Sequence, residues 1–158
     1  AAERGLSTLH VNTRNPTVST LSSAFLVEAD GAEGWQGQSW DTTLTVPVVT
    51  LDRLIATFGP PAFIKIDIEG YEDEALRGLT QPVPALSFEF TTIARDVAQR
   101  CLEMLMSLGD YRFDVALGES QTLTFGRWIT AAEMSKYLEL LPHAANSGDV
   151  YAVLSPNA

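Results

Sequence analysis

The chain has 158 residues, of which 46% are hydrophobic and 19% are charged, and these values are typical of one globular domain with its own core. Its formal net charge of -10 disfavours nucleic acid as a partner, because phosphate backbones are bound by clusters of lysine and arginine. No stretch approaches the roughly 20 apolar residues of a membrane helix, and no basic-then-apolar leader opens the chain. We therefore expect a cytoplasmic protein that does not associate with membranes.

The N-terminal part of the chain predicts few regular elements. Residues 6–12 alternate loosely and predict a strand, whereas the polar, glycine-rich sequence at 31–43 predicts a loop. A strand containing Pro47, which suits the edge of a sheet, then leads into a short helix over about 51–58. Gly59 and the prolines after it end that helix.

From residue 62 onward, strands and helices alternate. The single cysteine, Cys101, lies in an apolar helical pattern, so we expect a buried thiol and no internal disulfide. Alternation of this kind predicts an α/β fold with a mostly parallel sheet covered by helices on both faces. The predicted strands are 62–68, 84–90, 111–117 and 148–154, and the predicted helices follow the first three of them over 69–79, 91–109 and 130–141.

Three charged residues interrupt the first of these strands. Lys65, Asp67 and Glu69 alternate along "FIKIDIEG" and share one face, although a central parallel strand is normally apolar on both faces. One explanation is structural: Lys65 and Asp67 pair with each other, or the charges lie at a solvated strand end. The other is functional, because ligands bind outside the carboxyl ends of the strands in open parallel sheets.

The functional explanation gains support from the neighbouring strand. Glu89 lies at the carboxyl end of "PALSFEF", so two adjacent strand ends would present Asp67, Glu69 and Glu89 to one crevice. Gly70, which follows directly, would allow a ligand or another backbone to approach closely.

These residues resemble a known family. The sequence "VVTLDRLI", followed by "FIKIDIEGYEDEALRGL" and "PALSFEF", resembles the C-terminal half of FkbM-type methyltransferases, and "STLS" at 19–22 resembles the family's serine-rich segment. The signature K-I-D-x-E-G-x-E with its trailing Leu and Gly is matched here by Lys65, Ile66, Asp67, Glu69, Gly70, Glu72, Leu76 and Gly78.

The resemblance implies transfer of a methyl group from S-adenosylmethionine (SAM) to a hydroxyl of a sugar or a natural-product-like small molecule. It also implies a Rossmann-like methyltransferase sheet, mostly parallel with an antiparallel C-terminal strand. Enzymes of this type bind SAM through an N-terminal strand and a D-x-G-A-x-x-G-like loop. Residues 25–37 are the only similar stretch here, but no helical pattern follows Gly37, so we expect a surface loop with Trp35 and Trp40 packed on the fold.

Residues 1–158 are therefore expected to be a partial domain that lacks the N-terminal SAM-binding strands. This expectation has two consequences. The strand at 62–68 would keep one edge open unless another segment covers it, which favours self-association. The chain alone would also bind SAM weakly or not at all.

The resemblance suggests a role for each residue of the crevice. Asp67 is expected nearest the methyl donor, with Gly70 beside the cofactor, and Glu69 or Glu89 would serve as general base or as a ligand of the acceptor hydroxyl. Lys65 would keep Asp67 ionised. Glu72 is either a supporting residue of the site or a surface residue favoured by the helix dipole.

Two other classes of function remain open. Asp67, Glu69 and Glu89 are also suitable oxygen ligands for Mg²⁺ or Ca²⁺, although the methyltransferase hypothesis assigns no metal ligand. The chain is alternatively a non-catalytic domain, either truncated or active only with a partner chain.

Overall fold

Two antiparallel strands near the start of the chain form a small sheet of their own. The computed structural model describes residues 4–155, and in it β1 (Arg4–Val11) pairs along its length with β2 (Thr42–Val49). Both strands are rich in threonine, valine and leucine, which favour extended backbone. The predicted strand at 6–12 and the strand containing Pro47 are confirmed.

The connection between β1 and β2 contains a helix that the sequence analysis missed. In α1 (Ser23–Ala29), the hydroxyl of Ser22 accepts a hydrogen bond from the Phe25 N–H and caps the first turn. Phe25 is buried, and its ring contacts the rings of Trp35 and Trp40 edge-on, at centroid distances of 5.0 and 6.2 Å. The prediction that both tryptophans pack on the fold is confirmed.

The helix α2 (Leu51–Phe58) follows β2 directly. The Thr50 side chain caps it by accepting from the Arg53 N–H, and the backbone leaves the helix at Gly59, whose φ is +94°. The predicted bounds of 51–58 are confirmed.

A second, four-stranded sheet carries the rest of the fold. Its strand order is β3-β4-β6-β5, and strands alternate with helices along the chain as predicted. The strands are β3 (Ile64–Ile66), β4 (Ala85–Thr91), β5 (Tyr111–Leu117) and β6 (Ser147–Leu154), and the helices between them are α3 (Glu72–Leu76), α4 (Arg95–Leu108) and α5 (Ala131–Leu140).

The pairing in this sheet differs from the prediction of a mostly parallel sheet. Only β3 and β4 pair in parallel, whereas β6 pairs antiparallel with both β4 and β5. The reason is that the C-terminal strand inserts between β4 and β5 and runs opposite to both. It therefore separates two strands that point the same way. The α/β class is confirmed, with mostly antiparallel pairing.

The strand β3 is short and lies at the end of this sheet. It covers three residues rather than the predicted 62–68, and within residues 4–155 its only sheet neighbour is β4. The strand ends at Ile66 because the backbone then turns toward the start of α3 at Glu72. The charged residues Asp67 and Glu69 thus lie in the strand-to-helix turn and not within the strand.

The core lies between the four-stranded sheet and the helices packed on it. The helix α4 contains the predicted apolar face, with Val97, Cys101 and Leu105 buried against β4 and the neighbouring helices. Cys101 is a free, buried thiol as predicted. Within the described residues, no helix combines the length and the hydropathy that crossing a bilayer requires.

Candidate functional site

The turn between β3 and α3 positions the predicted site, and the side chain of Glu72 holds this turn together. One carboxylate oxygen of Glu72 accepts from the backbone N–H groups of Ile68, at 3.1 Å, and Gly70, at 3.2 Å. Only 2% of Glu72 is exposed. The alternative that Glu72 is a surface residue is therefore wrong, because its side chain is an internal brace.

The backbone of the turn adopts an unusual conformation. Glu69 has φ +54° and Gly70 has φ +80°, and a non-glycine residue in this region is uncommon. The hydroxyl of Thr20 donates to the Glu69 carbonyl at 2.6 Å, so the segment before α1 fixes the turn from outside. The orientation of the Glu69 side chain is consequently set by the fold.

Gly70 is required by close packing. A Cβ atom at this position would lie 2.5 Å from Cδ2 of Phe25, well inside van der Waals contact. The close approach predicted at Gly70 therefore exists, and the group that approaches is a ring of the same chain. A role for Gly70 in cofactor binding stays a prediction.

The three predicted carboxylates come together where β3 ends, with Asp67 and Glu69 just after β3 and Glu89 near the carboxyl end of the neighbouring β4. One oxygen each of Asp67, Glu69 and Glu89 lies within 4.8 Å of the other two. The parallel pairing of β3 with β4 explains this, because it brings the carboxyl ends of both strands to the same edge. Asp67 faces solvent with 45% of its side chain exposed, while Glu69 is buried and Glu89 is partly buried.

Several polar atoms in this cluster have no partner. Among the described residues, Oε2 of Glu69, Oε2 of Glu89 and the hydroxyl of Thr91 are buried and form no hydrogen bond. Thr91 follows Glu89 by two residues on β4, so both side chains are on the same face of the strand. Buried polar groups are nearly always paired, so the cluster is built for a group that supplies positive charge or hydrogen-bond donors.

Burial and mutual repulsion make the carboxyl groups of the cluster weak acids. Burial, followed by the charges of Asp67 and Glu72, raises the pKa of Glu69 to about 7. Burial, followed by the charges of Glu69 and Asp67, raises the pKa of Glu89 to about 9. Burial also raises the pKa of Glu72 to about 6, against the lowering effect of its backbone hydrogen bonds.

The ammonium group of Lys65 lies at the outer side of the cluster. Its Nζ is 3.3 Å from Oδ2 of Asp67 and donates to both oxygens of Asp149, at 2.9 and 3.1 Å. The predicted pairing of Lys65 with Asp67 is confirmed as a contact. Burial lowers the pKa of Lys65, but the hydrogen bond and charge of Asp149 outweigh it, so the pKa is raised overall.

Asp149 is a component that the sequence analysis missed. It lies on β6 directly opposite Glu89, and it is separated from Lys65 by 84 residues. No local pattern marks such a residue, because the contact depends on where β6 inserts into the sheet.

A cavity of about 380 Å³ lies on the side of the turn that faces α1 and α4. In it, Asp73 is buried and its carboxylate accepts from Nε of Arg100 at 2.6 Å, and Arg100 also pairs with Asp96. Other lining residues are Phe25, Glu28, Gly70 and Glu74. The charged residues that line the cavity are mainly acidic and the cavity reaches Gly70, so it is a candidate for part of a binding site.

The fold and the cluster together define a class of protein. This is a mixed α/β chain whose carboxylates converge at the carboxyl ends of two parallel strands, the usual edge for ligand sites in such sheets. Residues 2–115 match the family described as Methyltransferase FkbM domain, and the chain belongs to this family. The resemblance drawn from the sequence is thereby confirmed, and membership indicates a methyltransferase.

The matched region includes every residue of the carboxylate cluster except Asp149. No curated protein and no solved structure matches the chain significantly. The substrate and the roles of individual residues are therefore matters for proposal.

Proposed function

We propose that this chain belongs to a SAM-dependent methyltransferase with a Rossmann-like sheet, which methylates a hydroxyl oxygen of a sugar or of a natural-product-like small molecule. The family match supports methyl transfer in general. The observation that carries the finer proposal is the convergence of Asp67, Glu69 and Glu89, because removal of a proton from a hydroxyl requires a nearby base.

The residues of the cluster fit one end of SAM. The cofactor carries positive charge on its sulfonium and ammonium groups, and the cluster offers unpartnered, buried carboxylate oxygens on Glu69 and Glu89. Asp67 would hold this charged end, and Gly70 lines the adjoining cavity. The described residues contain no D-x-G-A-x-x-G-like loop for the adenosine end, so the fit concerns the methyl-donating end alone.

When bound, SAM supplies an activated methyl group for attack by the acceptor oxygen. Glu69 is the residue best suited to accept the hydroxyl proton, because a pKa of about 7 combines availability at neutral pH with sufficient basicity. Glu89, with a pKa of about 9, is mainly protonated at neutral pH and would orient the acceptor by donating a hydrogen bond. Burial of both groups limits access of water to the reacting atoms.

The test is transfer of an isotopically labelled methyl group from SAM to a panel of polyhydroxylated small molecules. Both this chain and the complete product of its reading frame are assayed. We expect label on oxygen, and Glu69→Gln should lower kcat by about 100- to 10,000-fold, the usual contribution of a general base. Glu139→Gln removes an exposed carboxylate on α5 and should leave kcat unchanged within about twofold.

The proposal is refuted if label appears only on nitrogen or carbon acceptors, or if Glu69→Gln retains full kcat. Calorimetric titration with SAM addresses the separate expectation that the chain alone binds the cofactor weakly. Clear micromolar binding by residues 1–158 would overturn that expectation.

A second candidate is a domain that functions only with another chain at the edge of β3. The observation in its favour is a set of exposed apolar residues in the segment that leads into β3, of which Phe58 is 82% exposed, Phe63 47% and Leu54 42%. We propose self-association through this edge. Light scattering after gel filtration should then show a dimer or larger species that Phe58→Asp converts to monomer, while a monomer at all concentrations would contradict the proposal.

A further inference from the structure

The carboxylates of Asp67, Glu69 and Glu89 concentrate negative charge that the protein leaves poorly compensated. One oxygen from each lies within 4.8 Å of the others. Within residues 4–155, no basic side chain forms a salt bridge with Glu69 or Glu89, and of the three carboxylates Lys65 contacts only Asp67. When Glu69 and Glu89 are both ionised, no positive charge among these residues compensates their repulsion.

The unpartnered atoms independently indicate that a ligand belongs here. Glu69 is only 9% exposed, yet its Oε2 has no hydrogen-bond partner among the described residues. Oε2 of Glu89 is likewise a buried atom without a hydrogen-bond partner within these residues. The Thr91 hydroxyl, on a residue that is 4% exposed, is also unpartnered. Ionised carboxylate oxygens are acceptors only, so the group that pairs with them must be a cation or a hydrogen-bond donor.

We propose that Asp67, Glu69 and Glu89 bind one divalent cation through their oxygens, with Mg²⁺ and Ca²⁺ as the two candidates. This inference goes beyond the proposed function, since it concerns the chain in the absence of both SAM and acceptor. Hard cations of this kind prefer carboxylate oxygens, and three carboxylates on two neighbouring strand ends supply one face of a coordination sphere.

The dimensions of the cluster suit such an ion. Ca²⁺ binds oxygen at about 2.3–2.6 Å and Mg²⁺ at about 2.0–2.1 Å, so ligands at right angles on one face lie about 3.3–3.7 Å apart around Ca²⁺ and about 3 Å apart around Mg²⁺. The three oxygens already lie within 4.8 Å of one another, so a contraction of at most about 1.5 Å brings them to the spacing of Ca²⁺ ligands. Mg²⁺ requires a contraction of at most about 2 Å.

The three ligands also differ in exposure and in how their backbone is held. The Thr20 hydrogen bond holds the backbone of Glu69, and pairing in the sheet holds the backbone of Glu89. Asp67, with 45% of its side chain exposed, lies toward solvent. The ion would therefore keep its remaining coordination positions open for water or for hydroxyl oxygens of a ligand.

A competing explanation is that the carboxyl groups share protons, as closely spaced acids do. The groups that face them are Glu72 from α3, Asp149 from β6, and Lys65 from β3, so two further acids and one base influence the cluster. Direct measurement of ion binding separates the two explanations.

The experiment is calorimetric titration of the chelator-treated chain with MgCl₂ and, separately, CaCl₂, at about pH 8 and constant ionic strength. We expect saturable binding of one ion per chain for at least one of the two metals, with a dissociation constant of about 1 mM or lower. The metal with the lower dissociation constant is the one that the site prefers.

Two variants make the result specific. Asp67→Asn removes the negative charge of one ligand at a position that is 45% exposed, so the fold should be preserved, and it should weaken binding at least tenfold. Glu103→Gln changes the net charge equally at an exposed position on α4 and should alter affinity by no more than about twofold.

Absence of saturable binding for both ions, or equal affinity in Asp67→Asn and the unmodified chain, would overturn the proposal. Because the titration involves no SAM and no acceptor, its outcome is independent of methyl transfer. An ion site without transferase activity would count against the proposed function alone.

Discussion

Replacement of Glu72 tests whether this buried carboxylate holds the turn that carries Asp67 and Glu69. In Glu72→Ala, the N–H groups of Ile68 and Gly70 lose their acceptor, and each buried donor left unpaired costs about 1–3 kcal/mol. Removal of the Glu72 charge offsets part of this cost. The rise in the pKa of Glu72 from 4.5 to about 6 means that its charge destabilises the folded state by about 2 kcal/mol at neutral pH.

The net expectation for Glu72→Ala at pH 7 is a loss of about 0–4 kcal/mol in the free energy of unfolding, and at pH 5, where the charge no longer opposes folding, a loss of about 2–6 kcal/mol. Glu72→Gln keeps an acceptor oxygen and removes the charge, so at pH 7 it should be as stable as the unmodified protein or more stable by up to about 2 kcal/mol. The exposed neighbour Glu74, which pairs with Arg77 at 3.1 Å, provides the matched control. Its replacement by Ala should cost less than about 1 kcal/mol.

The assay is urea unfolding followed by tryptophan fluorescence and circular dichroism, with the m-value checked for constancy. Because the pKa of Glu72 is raised in the folded state, the unmodified protein gains stability as pH falls from 8 toward 5, and its advantage over Glu72→Ala should grow accordingly. If Glu72→Gln proves as unstable as Glu72→Ala, the charge itself holds the turn. If Glu72→Ala is neutral at every pH, the role of Glu72 as a brace is refuted.

Three further perturbations follow from the same region. Gly70→Ala should lower the free energy of unfolding by about 2 kcal/mol or more, because its Cβ meets Phe25 at 2.5 Å and its φ is +80°; a urea midpoint equal to that of the unmodified protein would contradict this. The raised pKa of Glu89, about 9, means that stability should fall as pH rises from about 5 toward 9. Glu89→Gln should flatten this decline when the melting temperature is measured at a series of pH values. If the melting temperature depends on pH as steeply as in the unmodified protein, Glu89 is not the cause of the decline. Asp73→Ala should cost about 1–3 kcal/mol in urea unfolding, since it removes the buried partner of the partly exposed Arg100; a loss below 0.5 kcal/mol would show the pair to be unimportant.

The convergence of the carboxylates was predictable because it depends on local pattern and one rule of topology. Asp67 and Glu69 directly follow the apolar run that forms β3, and the parallel pairing of β3 with β4 brings Glu89 to the same edge. The helices α2 and α4 were equally accessible, since capping residues and apolar periodicity mark them in the sequence.

The remaining features depend on contacts between distant residues. The sheet was predicted to be mostly parallel because sequence alternation does not reveal that β6 inserts between β4 and β5. The same insertion brings Asp149 to Lys65. The helix α1 was missed because its seven residues are too few to show a helical period, and what stabilises it is the burial of Phe25 against Trp35 and Trp40.

The cluster is energetically unfavourable unless it meets a positively charged group. A rise in the pKa of Glu69 from 4.5 to about 7 corresponds to about 3 kcal/mol of destabilisation once the group is ionised. The left-handed backbone at Glu69 adds strain, yet Thr20 and Glu72 both hold the turn in this form. A fold that maintains such an arrangement is expected to recover the energy on binding. Any cation that enters, whether a metal ion or the sulfonium of SAM, should therefore raise the melting temperature more in the unmodified chain than in Asp67→Asn.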